Sequence, residues 1–343
     1  MRHELLLTAL ALVVLIIDLM LKPGQKNAII PITIILFALH TIAGFLPAQP
    51  GELFGSMYRT DALHVMMKNI LNVGVLIILL QSVTWLHKDE NREKMAEYFI
   101  ILLSTLIGMY FMISSGDFLM FYLGLELATV PMTALAAYRH HETKSAEAGI
   151  KLLLSSALSS GILLFGLSLV YGSTGSIYYN DVAASFSQTP MQVLAFIFFF
   201  AGMAFKISLV PFHLWTADVY EGSPVNVTSY LSVISKGAAS FILIIILYIV
   251  FHSITFLWKD LVYIIAILTM TIGNLFALRQ KNMKRFLAFS SIAQAGFILL
   301  GIIAGSKTGT TSVIYFVLVY IFSNLGAFGV VSAISNATGK ENM

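Results

Sequence analysis

The chain predicts an all-α, polytopic membrane protein of about eleven transmembrane helices. Hydrophobic residues make up 58% of its 343 positions and charged residues only 11%, where a soluble domain carries about 25% charged residues. The mean hydropathy is +0.87. Apolar runs close to the ~20 residues that cross a bilayer recur along the whole length. No soluble domain longer than a loop, no strand pattern and no soluble linker interrupts them.

The spans fall at 4–21, 28–46, 61–86, 95–114, 117–138, 148–171, 191–221, 224–251, 257–278, 285–305 and 310–336. The first, Leu5 to Leu21, has the length of a signal peptide. Glu4 flanks it, Asp18 lies inside it and no A-x-A-like cleavage site follows, so a retained first helix is expected. The seventh is interrupted at Pro211. Proline in a helix interior removes a backbone hydrogen bond and clashes with the carbonyl four residues back, here that of Ile207.

Charge placement sets the expected orientation. Numbered from the start, one side collects Lys22, Lys26, Lys88, Arg92, Lys94, Arg139, Lys144, Arg279, Lys281, Lys284, Arg285 and Lys340, and the other only Arg2, Arg59, Lys259 and Lys307. The N-terminus is expected outside and the C-terminus inside. Zero cysteines exclude disulfides, thiolate zinc sites and cysteine-ligated iron–sulfur clusters. There is no P-loop, no G-x-G-x-x-G fingerprint, no catalytic triad and no metal-ligand spacing; His140 and His141 are adjacent loop residues. No bound cofactor, metal or nucleic acid is expected.

Four ionisable residues stand inside apolar spans: Glu126, Lys151, Lys206 and Lys236. A charge at the bilayer centre costs about 2.5–3.5 kcal/mol on insertion scales, and intramembrane charges mark ion and proton pathways. If span seven is broken rather than ended at Pro211, it runs roughly 45 Å at 1.5 Å per residue and places Lys206 at its middle. Broken helices are tolerated at membrane depth beside a water-filled cavity or ion site; the bland alternative is a kink with a snorkelling lysine. Lys236 sits mid-span among Ser235, Gly237, Ala238, Ala239 and Ser240, small residues that let helices close around it. A lysine so desolvated gives up its proton more readily than one in water, and a neighbouring carboxylate such as Glu126 holds the proton on.

Lys151, Ser155 and Ser159 recur every four residues and share a helix face that could carry water and hydroxyl-bridged proton transfer, though Lys151 lies near the inner end. His213 beside the break is a candidate relay or a satisfied core histidine. Asp218 and Glu221 read as solvated inner-surface carboxylates, Lys68 with Asp61 as helix anchoring, and Asp18 as the inner anchor of span one.

Phe118-Leu119-Met120-Phe121 opens span five and Phe286-Leu287-Ala288-Phe289 opens span ten, 168 residues on. In that register Glu126 falls on Gln294. The odd number of helices between the copies' starts inverts the second relative to the first, an architecture of ion transporters.

Three segments carry a resemblance: Phe205-Lys206-Ile207-Ser208-Leu209-Val210-Pro211-Phe212-His213-Leu214-Trp215 continuing to Tyr220-Glu221-Gly222-Ser223-Pro224, then Val233-Ile234-Ser235-Lys236, then Asn282-Met283-Lys284-Arg285-Phe286 to Ile292. They resemble the antiporter-like proton-channel family of bacterial NADH–quinone oxidoreductase (respiratory complex I), shared with multi-subunit sodium/proton antiporters, and within it the subunit N group. The resemblance runs along essentially the whole chain. It implies a proton channel of inverted five-helix repeats with a broken seventh helix. Proton transfer is then carried by Glu126, Lys151, Lys206 and Lys236, with His213 a candidate relay and Gln294 a candidate water-orienting group. The implied organisation is a three-helix segment over 1–94, a first five-helix repeat with a proton half-channel over 95–251, and an incomplete second repeat over 257–343.

The resemblance also implies that NAD, flavin, iron–sulfur clusters and quinone belong to other subunits, that the partners are the other membrane and peripheral subunits, the lipid bilayer and protons, and that the chain resides in the bacterial inner membrane. Two departures stand out. The family has about fourteen helices, including a broken twelfth with a further lysine, so a chain ending at Asn342-Met343 reads as C-terminally incomplete. Many relatives carry histidine where Gln294 stands, and glutamine orients water but does not titrate. The alternatives are a subunit of a multi-subunit cation/proton antiporter and a truncated, non-pumping assembly scaffold.

Overall fold

A computed structural model describes residues 1–88, 94–139 and 141–338; Arg92, His140 and Lys340 lie outside them. Among the described residues, eleven helices are long and apolar enough to cross a membrane. Apolar segments of this length fold as helices because hydrocarbon offers no partner for a backbone N–H or C=O, so each span must satisfy its own. In chain order the α-helices, spanning and short, are α1 (Arg2–Met20), α2 (Ile29–Gly44), α3 (Ala62–Leu86), α4 (Met95–Ile113), α5 (Phe118–Ala136), α6 (Thr143–Thr174), a short α7 (Tyr179–Ser185), α8 (Pro190–Ile207), a short α9 (Leu214–Gly222), α10 (Val225–Tyr230) and α11 (Lys236–Ile249), which together make one span, α12 (Thr255–Ala277), α13 (Met283–Ile303) and α14 (Lys307–Thr338). Asp61, Asp117, Thr189 and Asn282 start α3, α5, α8 and α13, each accepting the N–H three residues on.

One element was not anticipated. A β-hairpin, β1 (Gly51–Leu53) with β2 (Tyr58–Thr60), joins α2 to α3, with Glu52 opposite Arg59. It is too short to show an alternating pattern. Backbone bonds from Arg59 to Ser114 (2.8 Å) and from Gly116 to Met57 (2.7 Å) seat it on the turn between α4 and α5. This hairpin end of the bundle therefore gathers the start of α3, the end of α4 and the start of α5. At the opposite, charged end, Lys144 at the start of α6 pairs with Glu221 of α9 at 2.9 Å, and Arg285 at the start of α13 pairs with Asp218 at 2.7 Å.

Small residues set the helix spacing. A Cβ on Gly108 of α4 would lie 2.4 Å from the Ala128 nitrogen of α5, and one on Gly124 of α5 would lie 2.5 Å from the Met112 nitrogen of α4. Gly166 does the same for α6 against α8, and Gly273 for α12 against α13. Without a hydrophobic drive between helices in lipid, such close backbone approach supplies the packing energy. The span Val225–Ile249 is the hub, 89% buried, whereas Arg2–Met20 is 28% buried and faces outward. Leu154, Leu158 and Phe165 expose an apolar face of α6, as lipid requires.

Two charge assignments need correcting. Lys68 is not an anchor for α3: it is 1% exposed and ion-paired with Glu4 of α1, while Asp61 caps α3. Lys284, counted with the loop charges, is 1% exposed in the first turn of α13 and donates to the Ser223 carbonyl at 3.0 Å. In both cases a distant element closes over a residue that looks peripheral in sequence. Asp18 does hold the end of α1, paired with Lys26 at 2.9 Å.

Candidate functional site

Span seven is broken, and the break begins three residues earlier than Pro211. Helix α8 stops at Ile207, and Ser208 takes the left-handed conformation (φ 65°). The Leu209 N–H returns to the Ala204 carbonyl at 2.8 Å and the Ser208 N–H to the Phe205 carbonyl at 3.0 Å, a Schellman termination. The residue before a proline is also steered out of the α region, so the chain leaves the helix before it reaches Pro211 and re-forms one, α9, at Leu214. The freed backbone groups find side-chain partners: Val210 N–H donates to Thr269 Oγ1 (3.1 Å), and Trp215 Nε1 donates to the Phe205 carbonyl (3.1 Å).

Lys206 therefore sits in the last turn of a half-helix. The carbonyl ends there carry partial negative charge, which favours a cation. Its ammonium donates to Thr129 Oγ1 at 2.6 Å. Thr129 in turn donates to the Leu125 carbonyl at 2.6 Å. Glu126 stands three residues before Thr129 on α5, a spacing that puts both on one helix face. Thr129, not Glu126, takes the lysine hydrogen bond, and Glu126 Oε1 is enclosed without a hydrogen-bond partner. Thr129 was readable in sequence as the polar residue one turn from Glu126. Replacing it by valine keeps the shape and removes one hydrogen bond to a charged group, worth about 1.5–3 kcal/mol. Thr129→Val is expected to slow ion transfer through this site about tenfold, a ~1.4 kcal/mol effect, at unchanged yield, as read from proton flux in proteoliposomes.

Lys236 lies beyond the break, 3% exposed. A π turn over Leu231–Ser235 joins α10 to α11 immediately before it; such turns collect at functional positions. The ammonium donates to Ser291 Oγ of α13 at 2.7 Å and lies 5.6 Å from the centre of the Tyr220 ring. One turn back, Ser232 meets Tyr320 (3.2 Å), and Asn324 donates to both Ser232 (2.9 Å) and Tyr320 (2.8 Å). Gln294 lines a cavity of about 290 Å³ with Tyr320, Ser323 and Asn324. His213, at the start of α9, is 6% exposed, with the Pro211 backbone as the neighbouring partner of its ring.

Lys151 belongs to a different place. It pairs with Glu147 (2.6 Å) and Asp218 (2.7 Å) at the charged end, in a pocket of about 90 Å³ that also holds Lys144, Glu221 and Arg285. Burial raises the Asp218 carboxyl, but hydrogen bonds from Lys151 and Arg285 outweigh it, so it sits below the ordinary carboxylate range. Asp218 and Glu221 are thus partners in a charge cluster rather than bland solvated groups. Along the serine face of α6, Ser155 donates to the Lys151 and Leu152 carbonyls and Ser159 to the Gly202 carbonyl at 3.3 Å. Helix serines readily turn to the carbonyl one turn back. Among the described residues, no group of three or more His, Cys, Asp or Glu side chains is gathered as a metal would require.

A charged residue at a helix break, facing a carboxylate on a neighbouring helix, narrows the families this fold can belong to. The family described as "NADH:quinone oxidoreductase/Mrp antiporter, TM" matches residues 115–343. The chain belongs to that family. It is 49% identical over 338 residues to NADH-quinone oxidoreductase subunit N of Phocaeicola vulgatus, covering 98% of this chain and 71% of the relative. It is 48% identical over 341 residues to the subunit N of Azobacteroides pseudotrichonymphae, covering 99% and 71%. Among solved structures, respiratory complex I from Thermus thermophilus contains a similar chain, with TM-score 0.80 and 26% identity, covering 96% of this chain and 70% of that one. Membership in the subunit N group makes this chain a membrane subunit of a translocase complex.

Proposed function

We propose that the chain is the proton-translocating subunit N of an NADH–quinone oxidoreductase, moving protons in response to redox chemistry in partner subunits that hold NAD, flavin, iron–sulfur clusters and quinone. The observation that carries this is Lys206 at the end of a broken half-helix, bonded to Thr129 and facing Glu126, with the buried Lys236 beyond it. A proton is taken up at the charged end near Lys151, reaches Lys206, and passes by His213 and water to Lys236. Gln294 orients water in the cavity farther on. Each proton moved against 100 mV requires about 2.3 kcal/mol, which the field of Glu126 and the helix end are placed to modulate.

On this reading, residues 1–94 form a three-helix segment, 95–251 the first five-helix repeat with its half-channel, and the helices from 257 onward belong to the second repeat. The excess of Lys and Arg supports an orientation with the charged end on the inner face of a bacterial inner membrane and the hairpin end on the outer face. The complex containing this chain, reconstituted in liposomes, is expected to take up protons on NADH addition at a rate unchanged when sodium is replaced by potassium. Sodium-dependent proton flux without NADH would instead support the antiporter reading.

A further inference from the structure

Besides Glu126, Lys151, Lys206 and Lys236, the bundle buries a further charged pair at the opposite end from Lys151. Glu4 and Lys68 are each 1% exposed and ion-paired. Two charges removed from water are costly to hold together, and nothing in the path from Lys151 to Lys236 uses them. Lys68 also donates to Ser114 Oγ (2.5 Å) and Tyr58 OH (3.3 Å), and Tyr58 OH donates to the second Glu4 oxygen at 3.0 Å. Tyr58 belongs to β2, whose partner strand β1 is exposed, so one side of the pair abuts the hairpin surface.

The other side continues inward. Lys68 lies 5.7 Å from the Tyr110 ring. Tyr110 OH donates to Asn72 and lies 3.4 Å from His40 Nε2. His40 is 5% exposed, and its Nδ1 has no protein partner, which leaves a place for water. Five residues earlier on α4, about 7.5 Å along the axis, Thr105 meets Tyr230 at 2.8 Å. Tyr230 is the last residue of α10, before the π turn that leads to Lys236.

We propose that Glu4 and Lys68 form an outer proton-release site, fed from the Lys236 region along α4 through Tyr230, Thr105, Tyr110 and His40. This rests on the proton-translocating reading above. A proton arriving on the Glu4 carboxylate neutralises it and leaves the Lys68 ammonium unpaired. Lys68 then releases one proton past Tyr58 to the hairpin side, and the Glu4 carboxyl passes its proton to the neutral amine, restoring the pair. One proton enters and one leaves.

Breaking the pair with Glu4→Gln or Lys68→Met alone strands a buried charge, so both single variants are expected to lower complex yield. The double variant Glu4→Gln with Lys68→Met strands none and is expected to recover yield while proton uptake per NADH stays below wild type. Wild-type uptake in the double variant would overturn the proposal. Lys206→Ala measured alongside separates the two ideas: if it also pumps normally, the proton reading itself has failed. Infrared difference spectra of the intact complex give a second readout. NADH addition is expected to produce a carboxylic C=O band that Glu4→Asp shifts, and a spectrum identical in the two proteins would overturn the proposal.

Discussion

Replacing Lys206 by alanine is expected to abolish NADH-driven proton uptake while leaving complex yield unchanged. The structure separates these outcomes because α8 does not depend on the lysine for its termination. The Schellman bonds from Leu209 and Ser208, the Val210–Thr269 bond and the Trp215–Phe205 bond all survive the substitution. What disappears is the ammonium between Thr129 and Glu126. Lys206 is mostly buried, and the fold is expected to lose about 1 kcal/mol, the centre of the range for a single substitution. Lys206→Arg sharpens the test. Arginine keeps the positive charge at the helix end but does not release its proton. If a fixed charge suffices, Lys206→Arg pumps; if Lys206 must give up and regain a proton, it assembles and does not pump. Proton uptake per NADH oxidised in proteoliposomes reads both variants. Normal stoichiometry in Lys206→Ala would remove Lys206 from the path.

Hydropathy made the eleven spans legible, because a bilayer filters sequence for length and apolarity before any tertiary contact forms. The broken span was legible from Pro211 within an apolar run that also holds Lys206. Where the helix actually ends was not. Ser208 takes a left-handed conformation that glycine usually marks, and the Thr269 hydroxyl that receives the freed Val210 N–H lies 59 residues on. The Glu4–Lys68 pair was hidden by a separation of 64 positions: Glu4 looks like a flanking charge until α3 lies beside α1. The π turn before Lys236 leaves no residue signature at all. Asn324 was findable as a lone amide in the apolar run of α14, but its partner Ser232 was not. The candidate site was therefore legible as a set of charges, and much less as a set of distances.

Gly124→Val is expected to prevent assembly, although Gly124 touches no charged group. Helices α4 and α5 cross with their backbones in contact: a Cβ on Gly124 would meet the Met112 nitrogen at 2.5 Å and the Gly108 carbonyl oxygen at 2.8 Å. These are backbone atoms, so no side chain can swing aside, and the helices must separate. Overpacking alone costs roughly 1–3 kcal/mol; a branched side chain against backbone belongs at the top of that range or above, a large part of a total stability of about 5–15 kcal/mol. Gly124 lies two residues before Glu126 and five before Thr129, so the same displacement carries Thr129 away from Lys206. Gly161→Val on α6 is the matched control, since a Cβ there meets nothing within 4 Å. Membrane levels of the subunit by immunoblot are expected to fall severalfold for Gly124→Val and to match wild type for Gly161→Val. Gly124→Ala is the more informative variant. Its single methyl forces a smaller separation, so the complex that does form should carry an intact Lys206 with a stretched bond to Thr129. Slowed proton uptake at near-normal yield is then the signature that helix spacing, set by glycines outside the site, tunes the transfer inside it.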